Sequence, residues 1–171
     1  AVRYGNVFGS SGSVIPKFIE QINNNKKITI TDPKMTRFSI TMNQALDFII
    51  KATQKGHGAE IFIPKLKAYS LQQIDNILSD LTNVKGREII GIRAGEKLHE
   101  LLINSDEMRY AYTYENMFMI LNELYEIKNL EETYPGIKKV EDIDVYSSNT
   151  APLLSTEEII SNLKDLRLPL L

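Results

Sequence analysis

Lys27-Ile28-Thr29-Ile30-Thr31-Asp32-Pro33-Lys34-Met35-Thr36-Arg37-Phe38-Ser39-Ile40-Thr41-Met42-Asn43-Gln44 carries two strands, a turn and a helix start in one unbroken stretch. Residues 27–31 and 37–41 alternate apolar and polar side chains, the period of a half-buried strand, and Asp32-Pro33 supplies the turn between them. Thr41-Met42-Asn43-Gln44 is a capping box, in which the Thr41 oxygen accepts from the third helical N–H and Gln44 reaches back. Ala45, Phe48, Ile49 and Ala52 recur on one helical face until Gly56-His57-Gly58 stops the helix. Glu60-Ile61-Phe62-Ile63-Pro64 then reads as a strand buried on both faces in a parallel sheet. Strands alternating with helices predict an α/β chain.

Downstream, a second capping box, Ser70-Leu71-Gln72-Gln73, predicts a helix with Leu71, Ile74, Ile77, Leu78 and Leu81 inward. Glu88-Ile89-Ile90-Gly91-Ile92-Arg93 predicts a strand, and Gly95-Glu96-Lys97 opens a helix through Leu98, Leu101 and Leu102. Residues 110–125 fit either a strand or an amphipathic helix, and residues 129–144 are polar around Pro135-Gly136. A third box, Ser155-Thr156-Glu157-Glu158, starts a final helix with Ile159, Ile160 and Leu163 inward, and Pro169 closes the chain. Upstream, Ala1-Val2-Arg3-Tyr4 reads as a strand already under way, leading into a loop with Gly5, Gly9 and Gly12. A helix follows it, with Gly12 or Ser13 as cap, Pro16 in the first turn, and Ile15, Phe18, Ile19 and Ile22 on its apolar face.

The 171 residues are 43% hydrophobic and 25% charged, a globular balance. Lys and Arg number 20 against 22 Asp and Glu, and no basic run exceeds two residues, as at Lys26-Lys27, so no clustered positive surface is expected for a nucleic acid. Without Cys there is no disulfide frame, thiolate nucleophile or zinc knuckle. His57 and His99 lack metal-ligand spacing, no metal is expected, and neither His is assigned chemistry. No apolar run approaches the roughly 20 residues of a membrane span, and no signal-peptide pattern is seen, so a cytoplasmic location is the default expectation.

Two motifs tempt a dinucleotide reading. Gly5, Gly9 and Gly12 lie between a strand and a helix, but three residues separate the first two glycines where a G-x-G-x-x-G fingerprint allows one. Tyr134-Pro135-Gly136-Ile137-Lys138 has Tyr-x-x-x-Lys spacing, yet Pro135 and Gly136 are poor helix residues, so the two side chains are not expected to share a face.

Four ordered motifs carry more weight: Arg3-Tyr4-Gly5-Asn6-Val7, Gly12-Ser13-Val14-Ile15-Pro16-Lys17-Phe18, Thr31-Asp32-Pro33-Lys34-Met35-Thr36-Arg37-Phe38 and Gly91-Ile92-Arg93-Ala94-Gly95-Glu96-Lys97-Leu98-His99-Glu100. Together they resemble the C-terminal half of the polysaccharide-biosynthesis branch of extended short-chain dehydrogenase/reductases. That branch contains NADP-dependent UDP-N-acetylglucosamine 4,6-dehydratases and capsule-synthesis nucleotide-sugar epimerases. Asp144-Val145-Tyr146-Ser147-Ser148-Asn149-Thr150 and its capped helix resemble the family's C-terminal end. The loop departs from the family's usual pattern at Ser11, where Arg is common, and the later motif departs at Ala94, where Pro is common.

The resemblance implies an α/β chain formed by the last strands of a Rossmann-type sheet plus the small substrate-binding lobe, residues 1–105, followed by a C-terminal extension with the final helix, residues 106–171. It implies NADP as cofactor, held mainly by an N-terminal half not contained in these residues, with Tyr4 and Asn6 contributing. It implies a UDP-sugar substrate, and a homo-oligomer or a complementing N-terminal half as partner.

No catalytic acid or base is expected in this chain. Arg37 and Arg93 are expected at the sugar-nucleotide diphosphate, because forked guanidinium bonds suit phosphate oxygens, while on charge pattern alone both read as solvated. Asn6 is expected at a phosphate or sugar oxygen, with an Asx-type turn as its alternative. Val14, Ile15 and Phe18, with Thr29 and Ile30, are expected to wall a slot for uracil, against plain core packing. Lys97, opposed to the dipole at an expected helix start, is expected to hold a phosphate or the nearby arginine, against simple solvation. The implied function is the substrate-binding half of a UDP-N-acetylglucosamine 4,6-dehydratase, inactive alone. A 4-epimerase of the same branch, or a non-catalytic chain that binds UDP-sugar or a partner, is the alternative.

Overall fold

The computed structural model describes residues 1–121 and 129–166. In chain order the elements are α1 Val14–Asn23, β1 Ile28–Ile30, β2 Thr36–Ser39, α2 Met42–Lys55, β3 Ile61–Pro64, β4 Lys67–Ser70, α3 Leu71–Leu81, β5 Arg87–Ile89, β6 Leu101–Ile103, α4 Ser105–Met108, β7 Ala111–Tyr114, β8 Met117–Ile120, α5 Leu130–Thr133, β9 Lys138–Lys139, β10 Tyr146–Ser147 and α6 Thr156–Asp165. The α/β class stands. Helices α2, α3 and α6 start at the expected capping boxes, each with both reciprocal bonds made. Helix α1 buries the expected Ile15, Phe18, Ile19 and Ile22. The inward faces differ in detail, since Leu81 is exposed while Ile49 and Ile160 are only half-buried.

Three expectations need correction. β3 is not a strand of a parallel sheet: it pairs antiparallel with β8 in a four-stranded sheet of order β3-β8-β7-β9. One parallel contact survives on its other edge, where Val2 bridges Phe62 and the Arg3 N–H donates to the Phe62 carbonyl at 2.9 Å. Residues 101–103, expected in a helix, form β6, which pairs antiparallel with β10. Their i, i+3 apolar spacing spans barely one turn, and the capping box at Asn104 claims the next residues for α4. Consequently His99 lies in a loop, and Glu96 and Lys97 do not begin a helix. The strand expected at residues 88–93 ends at Ile89, and its apolar residues Ile89, Ile90 and Ile92 are exposed. The ambiguous stretch becomes the hairpin β7–β8, turned through Glu115 with φ 50°. Tyr125 and Pro169 lie outside the described residues.

Apolar side chains gather in three clusters. The first packs α1, β1, α3 and α6 together with Phe8, Met35 and Tyr69. The second joins Phe38, Ile63, Ile103, Phe118 and Tyr146, and the third joins Phe48, Phe62, Met119 and Tyr134. Each fully buried large side chain stabilises the fold by about 1.5–3 kcal/mol relative to exposure. Pairing of β8 with β3, and packing of α6 against α3, tie the later residues to the earlier ones. Among the described residues, no helix is long and apolar enough to cross a membrane.

Candidate functional site

Two short strands build the floor of the site. β2 and β4 pair antiparallel with Arg37 directly opposite Tyr69, and directly opposed residues project to the same face. Above them stands the N-terminus of α1, which has no acidic residue in its first turn, leaving the positive end of its dipole uncompensated by side chains. Between these elements lies a cavity of about 270 Å³. Asn6, Ser13 and Val14 line it from the loop and helix α1, Thr31 and Met35 from the turn, and Arg37, Tyr69, Leu71 and Glu96 complete the wall.

The Arg37 guanidinium is held in place by its surroundings. Nη1 donates to the Thr36 carbonyl at 2.7 Å and the Leu98 carbonyl at 3.2 Å, while Nη2 contacts Met35 Sδ at 2.8 Å. Glu100 Oε1 lies 3.8 Å from Nε, and the Arg37 side chain is 14% exposed. Of the five guanidinium N–H groups, those not taken by these bonds stay available to a ligand. Burial raises the Glu100 carboxyl above its ordinary range, against the opposing influence of the Phe38 N–H that it accepts and of the Arg37 charge. Beneath Arg37, Thr36 Oγ1 shares hydrogen bonds of 2.7 Å with His99 Nδ1 and with the fully buried Ser148 hydroxyl. His99 thus holds the Thr36 side chain at the start of β2.

The sequence-derived residues divide into two groups. Asn6, Val14 and Arg37 converge on the cavity although 31 residues separate the first from the last, 37 − 6. Arg93 and Lys97 are exposed and do not line it, and the Arg93 N–H donates to Glu96 Oε2 at 3.2 Å. The shared hollow expected for the two arginines is therefore a hollow of Arg37 alone. Ile15 and Phe18 retain no exposed surface and pack in the first core cluster. Thr29 is tied to α1, its hydroxyl accepting from Gln21 Nε2 at 2.8 Å and its N–H donating to Gln21 Oε1 at 3.1 Å. Ser13, Met35 and Tyr69 were not anticipated as lining residues. Ser13 could have been read from its place at the N-cap, whereas Tyr69 becomes visible only through the β2–β4 pairing.

The glycine loop does not fit a dinucleotide pyrophosphate. A Cβ on Gly5 would meet the Phe38 side chain, and one on Gly9, at φ +71°, would overlap Leu166, so both glycines serve close packing of protein on protein. Tyr4 is half-buried against the third apolar cluster, while Asn6 is exposed at the cavity. Nor do Tyr134 and Lys138 form a dyad: the Tyr134 hydroxyl donates to the buried Glu60 at 2.7 Å, and Lys138 stands exposed on β9.

A larger cavity of about 460 Å³ lies between α2 and α6 and contains none of the sequence-derived residues. Two of its lysines are already neutralised, Lys51 by Glu115 and Lys67 by Glu158.

A family profile described as "Polysaccharide biosynthesis protein" matches residues 1–122. UDP-glucose 4-epimerase of Rickettsia bellii is 37% identical over 158 residues, covering 92% of this chain and 46% of that protein. UDP-N-acetylglucosamine 4,6-dehydratase (inverting) of Campylobacter jejuni subsp. jejuni serotype O:2 is 39% identical over 165 residues, covering 91% of this chain and 48% of that protein. Among solved structures, Pen from Bacillus thuringiensis superimposes with a TM-score of 0.81 at 36% identity, over 97% of this chain and 49% of that one. The chain thus spans about half the length of the curated relatives it matches.

Proposed function

This chain belongs to the polysaccharide biosynthesis protein family, and on that premise we propose that it forms the substrate-binding half of an NADP-dependent UDP-N-acetylglucosamine 4,6-dehydratase of the cytoplasm. The observation that carries the reading is the convergence of Asn6, Val14 and Arg37 on one cavity at the start of α1. Arg37 attracts the diphosphate with a charge held rigid by backbone carbonyls, so little side-chain freedom is lost when ligand arrives. Asn6 donates and accepts at a sugar or phosphate oxygen, and Val14 offers an apolar contact to the base. Binding energy from the remote nucleotide then holds the sugar in a reactive position.

NADP, when bound, supplies the hydride acceptor and donor. The glycine loop here does not cradle its phosphates, so its binding rests on a complementing half, and Asn6 is the contact this chain offers. The functional division at residue 105 and assembly as a homo-oligomer belong to the same reading.

A 4-epimerase is the second reading, supported by the Rickettsia bellii relative at 37% identity. Chromatographic separation of the epimers followed by mass spectrometry, applied to UDP-N-acetylglucosamine incubated with the protein and its NADP-binding complement, separates the two. Loss of one water from the sugar supports the dehydratase, and an isomer of unchanged mass supports the epimerase. Unchanged substrate, combined with no calorimetric binding of UDP-N-acetylglucosamine, rejects both.

A further inference from the structure

Tyr69 is 3% exposed, yet its hydroxyl has no hydrogen-bond partner among the described residues. A buried tyrosine normally finds one, so an unpartnered hydroxyl on a cavity wall points to something the cavity receives. The ring is fixed edge-on against Phe8 with centroids 5.6 Å apart, and the β2–β4 register places it directly opposite Arg37. Ser13 reinforces the pattern. It caps α1 through its backbone only, and its buried Oγ also has no partner. Two idle hydroxyls and a guanidinium therefore meet on one cavity of about 270 Å³, too small for a whole nucleotide sugar but suited to a phosphate-bearing fragment. Burial pushes the Tyr69 phenol well above its ordinary range, with the Glu100 charge adding to the shift, so the hydroxyl keeps its proton and can donate it.

We propose that Tyr69 is a specificity-determining contact, whose hydroxyl donates to a phosphate oxygen of the ligand that Arg37 attracts. The proposal rests on the nucleotide-sugar reading above. It explains why a bulky aromatic with a polar tip stands on β4, where an apolar residue would fill the core equally well. Discrimination follows from the same geometry: a ligand without that oxygen forgoes the bond from the Tyr69 hydroxyl.

Calorimetric titration of UDP and of uridine into the wild-type protein and Tyr69→Phe tests it. Phenylalanine keeps the ring against Phe8 and removes only the hydroxyl. The expected result is UDP affinity weakened roughly tenfold or more, from loss of one bond to a charged group, with uridine affinity and thermal midpoint unchanged. The ratio of UDP to uridine affinity is the readout, because general loosening of the fold weakens both ligands and leaves the ratio alone. An unchanged ratio in Tyr69→Phe, with wild-type protein binding UDP, overturns the role of Tyr69 and leaves the nucleotide-sugar reading standing. Wild-type protein that binds no UDP overturns both. Ser13→Ala provides the second variant: a smaller fall in the same ratio supports a phosphate at this wall, and a fall in uridine affinity alone places the base there instead and overturns the proposal.

Discussion

Arg37 and Arg93 sit in comparable sequence settings, each within a family motif beside a turn, and the molecule treats them oppositely. Arg37 stands on a strand paired along four residues with β4, and its guanidinium is gripped by two carbonyls, a thioether and a carboxylate. Arg93 follows a strand whose three residues are all exposed and whose parallel pairing with β1 uses one edge only. In the stretch after it the Ile90 N–H still donates to the Ile30 carbonyl at 2.9 Å, but Ile90 and Ile92 stay exposed and, among the described residues, no strand pairing extends to Arg93. Preorganisation is thus conferred by pairing and burial, and not by the residue type or its local motif.

The contrast is broken or sharpened most strongly through stability. Phe38, fully buried beside Arg37 and 4.9 Å from the Tyr146 ring, is expected to cost about 3–5 kcal/mol when changed to Ala, whereas Ile92→Ala stays within about 0.5 kcal/mol. Urea unfolding of both variants checks this, and equal losses would mean the exposed stretch is packed in solution.

Ligand binding gives the next largest effect. Arg37→Ala is expected to weaken UDP binding by about 2–3 kcal/mol, the value of a bond to a charged group, and Arg93→Ala to change it by less than about twofold. A comparable loss for Arg93→Ala in the same titration would show that the second arginine swings onto the ligand and that the two regions act together.

The smallest effect is a pH dependence. Glu100 has a raised folded-state pKa, so the native state binds more protons than the unfolded state in the window just above the ordinary carboxylate range. Its contribution therefore makes stability fall as pH rises through that window, the reverse of a salt-bridged carboxylate with a lowered value. The urea midpoint of Glu100→Gln, followed against pH, should lose this downward component. A midpoint profile parallel to wild type would remove Glu100 from the account of why the Arg37 region is special.

Legibility followed the range of the forces involved. The boxes at Thr41, Ser70 and Ser155 were readable because a cap is satisfied within four residues, and those helices start where expected. Leu101 and Leu102 misled because apolar spacing over one turn does not distinguish a short strand from a helix, and β10, more than forty residues on, decided the matter. The same lack of local signal hid Tyr69: Lys67-Ala68-Tyr69-Ser70 is too short to announce a strand, and its partner β2 lies about thirty residues earlier. Ile15 and Phe18 were legible as apolar, but a helical apolar face looks the same whether it meets a base or the core.

From the sequence alone came the α/β class, the three capped helices, the absence of thiol chemistry and the family motifs, because each depends on composition or on neighbours a few residues apart. Only the tertiary structure decided that Arg37 joins Asn6 and Val14 while Arg93 stays outside, that β3 turns antiparallel, and that Tyr69 faces the cavity. Those outcomes depend on strand register and on which surfaces bury one another, and both are set by contacts between residues far apart along the chain.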